Sequence, residues 1–308
     1  MSRIVHDEMA SSTLRVKAKN DEEKRWFFDI LDHRRSDVKE FVQTLSMYQW
    51  CDETYNIIDS AYQCWNGCRY CYIMAMNRRF RRGTIIDQTF HLHGTKVKKG
   101  WRKGDSKLFM FPSSHDIFED MVDSYIEVAR KMIDAGHRVL CVTKPRLSCI
   151  DRITRTLMDV KDKILYRFTI GSVDNEVLSF WEPHAPSFEE RLDALKLAFE
   201  RGFETSVSME PLLEDPARVI ERVTPYVTES IWLGYMNYQK GSAEIHRLCQ
   251  CKIEGVIDIE DTVDDLETLE KRTHDLEVLK TRARELVDRY RDNPKIYFKE
   301  GMMTMLVK

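Results

Sequence analysis

Cys64, Cys68 and Cys71 stand with three and then two residues between them in the run Cys64-Trp65-Asn66-Gly67-Cys68-Arg69-Tyr70-Cys71-Tyr72. Thiolates at that spacing can wrap one corner of a small metal cubane while leaving its fourth metal without a protein ligand. Four-iron ferredoxin runs close their cluster with a fourth thiolate, and no fourth cysteine follows here within a few residues. Open coordination marks a metal that does chemistry rather than one that only holds a fold together. A zinc knot and three unrelated cysteines are the plainer readings. Neither accounts for both the open position and the aromatics Tyr70 and Tyr72 that flank the last cysteine.

A chain of 308 residues with 43% apolar content can bury a full core and fits one barrel-sized domain. The other five cysteines, Cys51, Cys141, Cys149, Cys249 and Cys251, are scattered, which is not the pattern of a secreted disulfide framework. Residues 1–20 are polar, so neither a signal peptide nor a membrane span is expected there, and a reducing cytoplasm is the expected compartment. A net charge of −3 gives no global attraction to nucleic acid, so any such binding needs a local patch.

The elements that must position the cysteines follow a βα rhythm. Strands are expected at 55–61, 108–111, 138–143, 165–171, 204–209, 230–233 and 296–299, with helices between them at 73–80, 118–135, 150–160, 187–201 and 216–227. Ser187 with Glu190 three positions on is a capping box, and Gly136 and Gly202 punctuate helix ends. Strands spaced by helices predict parallel βαβ units, hence an α/β fold with a barrel or open parallel sheet. The chain is expected to divide into a helical lead-in over 1–50 (helices at 21–31 and 37–47), a core over 51–250, and C-terminal helices with a final strand over 251–308 that complete the barrel. In such a barrel the ligand sits at the C-terminal ends of the strands. The segments there are Phe111-Pro112-Ser113-Ser114-His115-Asp116, Val142-Thr143-Lys144-Pro145, Thr169 to Asp174 with Trp181 to Ser187, and Ser208-Met209-Glu210-Pro211.

The cysteine run, with an aromatic before its third cysteine, resembles the radical S-adenosylmethionine (SAM) superfamily. The resemblance implies a partial (β/α)6 TIM-type barrel with N- and C-terminal extensions. It also implies a [4Fe-4S] cluster held by Cys64, Cys68 and Cys71, with the amine and carboxylate of SAM on the fourth iron. An electron from a flavodoxin- or ferredoxin-type reductant would cleave SAM and release a 5′-deoxyadenosyl radical that abstracts hydrogen from a substrate. The strand-end segments are similar, over about residues 55 to 215, to the spore photoproduct lyase branch. There a Ser-x-x-Asp loop, a Thr-Lys strand end, a Ser-bearing fourth strand and a Glu-Pro-x-x-Pro-Ser-x-x-x-Arg stretch recur in this order. Carried over, Ser113, Lys144, Ser172 and Arg191 would contact SAM, and Tyr72 would offer its backbone to the adenine. A cation such as Lys144 suits the carboxylate and hydroxyls suit the ribose.

One departure from that branch changes the chemistry. Where those lyases carry a cysteine that returns a hydrogen atom to the product radical, this chain has Ser114. A serine O–H bond is too strong to donate to a carbon radical, so true lyase chemistry is not expected. Cys141 is the substitute donor the sequence offers, against its reading as a buried apolar thiol. His115 and His184 are candidate proton carriers, and Asp116 and Glu182 read as cap or structural residues.

The stretch 78–107 carries ten Lys and Arg against two Asp, with Phe80, Phe90, His91, His93 and Trp101 among them. It reads either as a solvated insertion or as a surface for an anionic ligand with aromatics to stack on bases. A nucleic acid or nucleotide substrate is therefore the leading expectation. A phosphorylated or sugar metabolite, a peptide, and a zinc-stabilised binding module without turnover are the rivals.

Overall fold

The structure, a computed structural model, describes residues 12–33, 50–58, 64–80, 91–235 and 268–307. Seven strands form one parallel sheet in sequence order: β1 (Glu53–Thr54), β2 (Leu108–Met110), β3 (Arg138–Thr143), β4 (Ile164–Thr169), β5 (Glu204–Met209), β6 (Ile231–Leu233) and β7 (Ile296–Phe298). The described α-helices are α1 (Ser12–His33), α2 (Tyr72–Arg79), α3 (Gly94–Lys98), α4 (Val122–Asp134), α5 (Leu147–Thr156), α6 (Asn175–Trp181), α7 (Phe188–Glu200), α8 (Ala217–Val223), α9 (Thr268–Tyr290) and α10 (Glu300–Val307). Unbroken parallel order with helical crossovers is the arrangement of a partial α/β barrel. The expected fold class is the observed one, and the seventh strand of the sheet is the final strand expected at 296–299.

Alternation along the strands sorts their side chains into two layers. Val139, Cys141, Tyr166, Phe168, Val207 and Met209 face the helices and join a large apolar core with Val128, Met132, Ile150, Leu192 and Leu195. On the concave side Leu108, Leu140 and Leu165 form a smaller apolar floor with Cys51, flanked by Trp50, Met110 and Val142. Above it the face turns polar. Arg167 donates from Nε to Ser206 Oγ at 2.8 Å and pairs with Glu229 at 2.9 Å, and its guanidinium lies 4.9 Å from the Trp50 ring centre and 5.3 Å from that of Trp232.

Several boundaries differ from expectation, each for a local reason. The first strand is Glu53–Thr54 rather than 55–61. The Asn56 side chain takes the amides of Ser113 and Ser114 at 2.8 Å each and donates to Ser113 Oγ, and Ile58 instead makes an isolated antiparallel bridge to Leu92. Cys64 therefore lies ten residues beyond the strand end rather than directly after it. Helix α5 begins earlier than expected because Glu190 Oε1 accepts from the Leu147 amide at 3.0 Å. Helix α6, absent from the sequence expectation, is capped by Asp174, whose carboxylate accepts from Glu176 N at 2.8 Å. Ser187 caps α7 as the capping box predicts, and Gly136 and Gly202 take positive φ after α4 and α7. The lead-in helix spans Ser12–His33, while the second expected at 37–47 and the start of the C-terminal helical stretch lie outside the described residues. No described helix is long and apolar enough to cross a membrane.

Gly171, just past β4, is where two strand-end loops meet at backbone distance. A Cβ there would stand 2.7 Å from the Pro211 carbonyl oxygen and 3.1 Å from Leu213 Cγ. Gly171→Ala is expected to cost about 1 to 3 kcal/mol, as overpacking does. A lower urea midpoint at unchanged m-value checks this.

Candidate active site

A cavity of about 690 Å³ opens at the C-terminal ends of the strands. Cys64, Cys68, Cys71, Tyr70 and Tyr72 line one side, and Ser113 to Asp116, Thr143, Lys144, Thr169, Ser208, Glu210 and Lys299 line the remainder together with Trp50 and the start of α10. Chain segments far apart in sequence thus converge on the cysteine run.

The run is held by its backbone and by a buried amide. Gly67 turns the chain at φ 60°, its amide donating to the Cys64 carbonyl at 3.0 Å, and Cys71 N donates to the Cys68 carbonyl at 3.1 Å. The fully buried Asn66 gives Nδ2 to Asp116 Oδ2 at 2.7 Å and takes a 3.0 Å bond from Arg146, which also reaches the His184 carbonyl. Asp116 further accepts from Thr143 Oγ1 at 3.0 Å and Lys144 N at 2.6 Å, with Lys144 Nζ at 3.6 Å and Cys64 Sγ at 3.9 Å. Burial works against the Asp116 charge, yet Lys144 and these donors hold its carboxyl below the usual carboxylate range. Burial likewise opposes the Lys144 charge, but Asp116, Cys68, Tyr70 and Glu182 keep its pKa well above the ordinary lysine value.

A second chain of contacts runs behind the loop. Tyr70 OH donates to Glu182 Oε1, and Arg191 donates to Glu182 Oε2, with Arg191 and Glu182 essentially inaccessible. Arg191 also donates to the Pro186 and Thr169 carbonyls at 2.8 and 3.2 Å. Arg191 thus acts on the cysteine loop through Glu182 and Tyr70 and does not line the cavity.

Of the expected cofactor contacts, Tyr72, Ser113 and Lys144 line the cavity beside the cysteines. Ser172 is fully buried and donates to Glu214 Oε1 at 3.0 Å, outside the cavity wall. Cys141 lies on the helix-facing side of β3, opposite Val142, which does line the cavity. Burial pushes its thiol up to about 12. Its place in the pleat puts it in the outer core rather than facing a ligand. Cys249 and Cys251 lie outside the described residues. Sequence reasoning missed Asn56, Asn66 and Lys299, and placed Ser208 and Glu210 at a strand end without giving them a role. Lys299 lies 4.0 Å from the Trp50 ring centre and 3.7 Å from Glu210 Oε2.

The donor set fits a metal cluster. The three cysteines are free thiols on one wall. Burial pushes the Cys64 thiol well above its ordinary range and Cys68 up to about 12. Among the described residues no three His, Cys, Asp or Glu side chains close on a single ion.

A family model described as the radical SAM superfamily matches residues 59–217. A curated relative, the uncharacterised protein ORF301 of Acidianus two-tailed virus, is 26% identical over 178 residues. The match covers 54% of this chain and 58% of that protein, so the chain spans less than two thirds of its relative's length. Among solved structures, a doubly substituted spore photoproduct lyase with bound AdoMet and dinucleoside spore photoproduct aligns at a TM-score of 0.45 and 14% identity. That alignment covers 75% of this chain and 72% of the other. A singly substituted spore photoproduct lyase aligns at 0.35 and 15%, covering 65% and 62%.

Replacing Arg191 by Met leaves the buried Glu182 carboxylate with the Tyr70 hydroxyl but without its guanidinium, and is expected to cost about 3 to 5 kcal/mol. Adding Glu182→Gln should recover a large part of that loss. Urea unfolding of the single and double variants reads both outcomes.

Proposed function

Because this chain belongs to the radical SAM superfamily, we propose that its barrel-mouth cavity holds a [4Fe-4S] cluster on Cys64, Cys68 and Cys71 with SAM beside it, and that the substrate is a nucleic acid or nucleotide. The observation that carries this reading is the opening of the three cysteines and Lys144 onto one cavity of about 690 Å³. When bound, cluster and SAM supply a one-electron reductive cleavage, fed by a flavodoxin- or ferredoxin-type reductant, that yields a 5′-deoxyadenosyl radical able to abstract hydrogen from carbon.

The protein's part is to orient and to shield. Lys144 presents an ammonium to the SAM carboxylate, held in place by Asp116 at 3.6 Å. Ser113 offers a hydroxyl, itself fixed by Asn56 Nδ2 at 2.7 Å, and Tyr72 is tied to the Ser113 carbonyl at 2.6 Å. Among the described residues that line the cavity, the sulfur-bearing ones are the three cysteines and Met110, so none of these supplies a further thiol. With Ser114 in place of a donor cysteine, this favours an outcome other than the lyase reaction.

The basic segment supports the substrate class. Lys98, Arg102 and Lys103 are exposed, while Lys107 pairs with Glu53. The segment adjoins the cavity through residues 55–57: His93 N donates to the Ile57 carbonyl, Tyr55 OH to the Lys96 carbonyl, and Asn56 holds Ser113. Trp101 is no base-stacking platform. It packs inward on Tyr55 and Phe109 at 4.9 and 5.0 Å and carries Lys99 at 4.6 Å. Phe80 is exposed, and Phe90, Arg81 and Arg82 lie outside the described residues.

Anaerobic reconstitution with iron and sulfide tests the chemistry. A brown protein that forms 5′-deoxyadenosine from SAM after reduction is expected, and Cys68→Ala should abolish that product while the chain stays folded. Tightly held zinc, together with unfolding of the Cys68→Ala variant, would instead identify the non-catalytic module. For the substrate, Lys98→Ala/Arg102→Ala/Lys103→Ala should weaken binding to single-stranded nucleic acid and lower the log–log salt slope by about 2 to 3. An unchanged slope would favour a small metabolite or a peptide.

A further inference from the structure

Among the described residues, three that line the cavity carry a buried polar atom without a protein partner: Trp50 Nε1, His115 Nε2 and Ser208 Oγ. Buried polar groups are normally satisfied, so an orphan on a residue that lines a cavity marks where a ligand belongs. His115 is the most informative of the three because its chemistry is fixed by its other nitrogen. Nδ1 lies 2.9 Å from the Asp116 carbonyl oxygen. A carbonyl only accepts, so Nδ1 carries the proton, and in the neutral ring Nε2 is a bare lone pair. The ring is 9% exposed, and burial lowers its pKa to about 4 against the opposing pull of Asp116, so it stays neutral near pH 7. The wall thus presents a fixed acceptor.

The partner must donate a hydrogen bond, and the surroundings choose which kind. Lys144 already brings an ammonium to Asp116, the adjoining residue, and a second ammonium there would face like-charge repulsion in a dry site. A neutral hydroxyl meets no such penalty. Ser113 and Ser114 flank the same stretch of wall, each anchored through its backbone amide to Asn56.

We propose that His115 is a ligand-positioning residue whose Nε2 accepts a hydrogen bond from a sugar hydroxyl of the molecule bound in the cavity. Such a hydroxyl can come from the ribose of SAM or from a ribose-bearing substrate. The inference rests on the cavity's reading as a SAM-binding site. It goes beyond that reading in naming an acceptor and the group it serves.

Nitrogen-15 NMR of the histidine rings in the reconstituted protein tests it. The resonances missing from His115→Leu, among the nine histidines, identify the ring. Free protein is expected to show a protonated Nδ1 and an unprotonated Nε2. SAM, and adenosine without the methionine part, should shift Nε2 upfield, whereas methionine alone should not. If SAM leaves Nε2 unmoved but a short RNA oligonucleotide added on top of SAM shifts it, the hydroxyl is the substrate's. A shift caused by methionine alone, or none with any of these, overturns the proposal. Calorimetry on the same samples separates the two levels. SAM that binds while neither it nor the added oligonucleotide moves Nε2 defeats this inference alone, whereas SAM that does not bind at all defeats the proposed function with it. In the SAM arm, His115→Leu should bind SAM about three- to tenfold more weakly at an unchanged unfolding midpoint, and His115→Gln, which keeps an acceptor, should recover part of the loss.

Discussion

The buried carboxylate of Asp116 is the contact on which the rest of the site depends. It accepts from Asn66 in the cysteine loop and from Thr143 and the Lys144 amide at the end of β3, and it faces the Lys144 ammonium. A carboxylate out of water is costly unless each lone pair is met, and here the donors come from two separate segments. Each segment is therefore placed by the same charge. The loop that carries Cys64 reaches its position through a hydrogen bond rather than through apolar packing alone. Asp116 is also the carbonyl that fixes the tautomer of His115, so one residue sets the loop, the cation and the neutral acceptor.

Behind this hub the barrel is graded from apolar to polar. Leu108, Leu140 and Leu165 close the floor. Above them Arg167 lies against Trp50 and Trp232 while bonded to Ser206 and Glu229. Stacking on rings and pairing with a carboxylate allow a guanidinium to be buried in the barrel without an unpaired charge. The outer strands are short, two residues in β1 and three in β7, and on the far side Lys299 and the start of α10 form the cavity wall. Gly234 makes that wall possible, since a Cβ there would stand 2.9 Å from Lys299 Cγ.

Much of this was legible in the chain because it is local. The cysteine spacing, the alternation in 138–143 and 204–209, and the Ser187 capping box all declare themselves within a few residues. What escaped depends on partners 40 or more positions away: Asn56 with Ser113, Asn66 with Asp116, Ser172 with Glu214. Period-two alternation shows that Cys141 and Val142 point to opposite faces, but not which face is concave. That is decided by where the helices pack, and it placed Cys141 in the outer core. Arg191 read as a surface or cofactor cation, because nothing local shows that Glu182 meets it in the interior.

Charge divides the work between the inside and the outside of the mouth. Apart from cysteines, tyrosines and His115, the titratable groups along the cavity among the described residues are Asp116 facing Lys144, Glu210 facing Lys299, and Glu300. These are opposed pairs with no surplus of positive charge. The exposed, described cations of the basic segment, Lys98, Arg102 and Lys103, are not among the residues that line the cavity. Under the proposed function, a phosphate backbone would be attracted by Lys98, Arg102 and Lys103, where water and salt keep the attraction tunable. With Lys144 given to the SAM carboxylate and Lys299 paired with Glu210, no described cation on the wall is left to offset a buried phosphate. Under the proposed function, the carbon that loses hydrogen then belongs to a sugar or base reaching inward, while its phosphates remain on the rim.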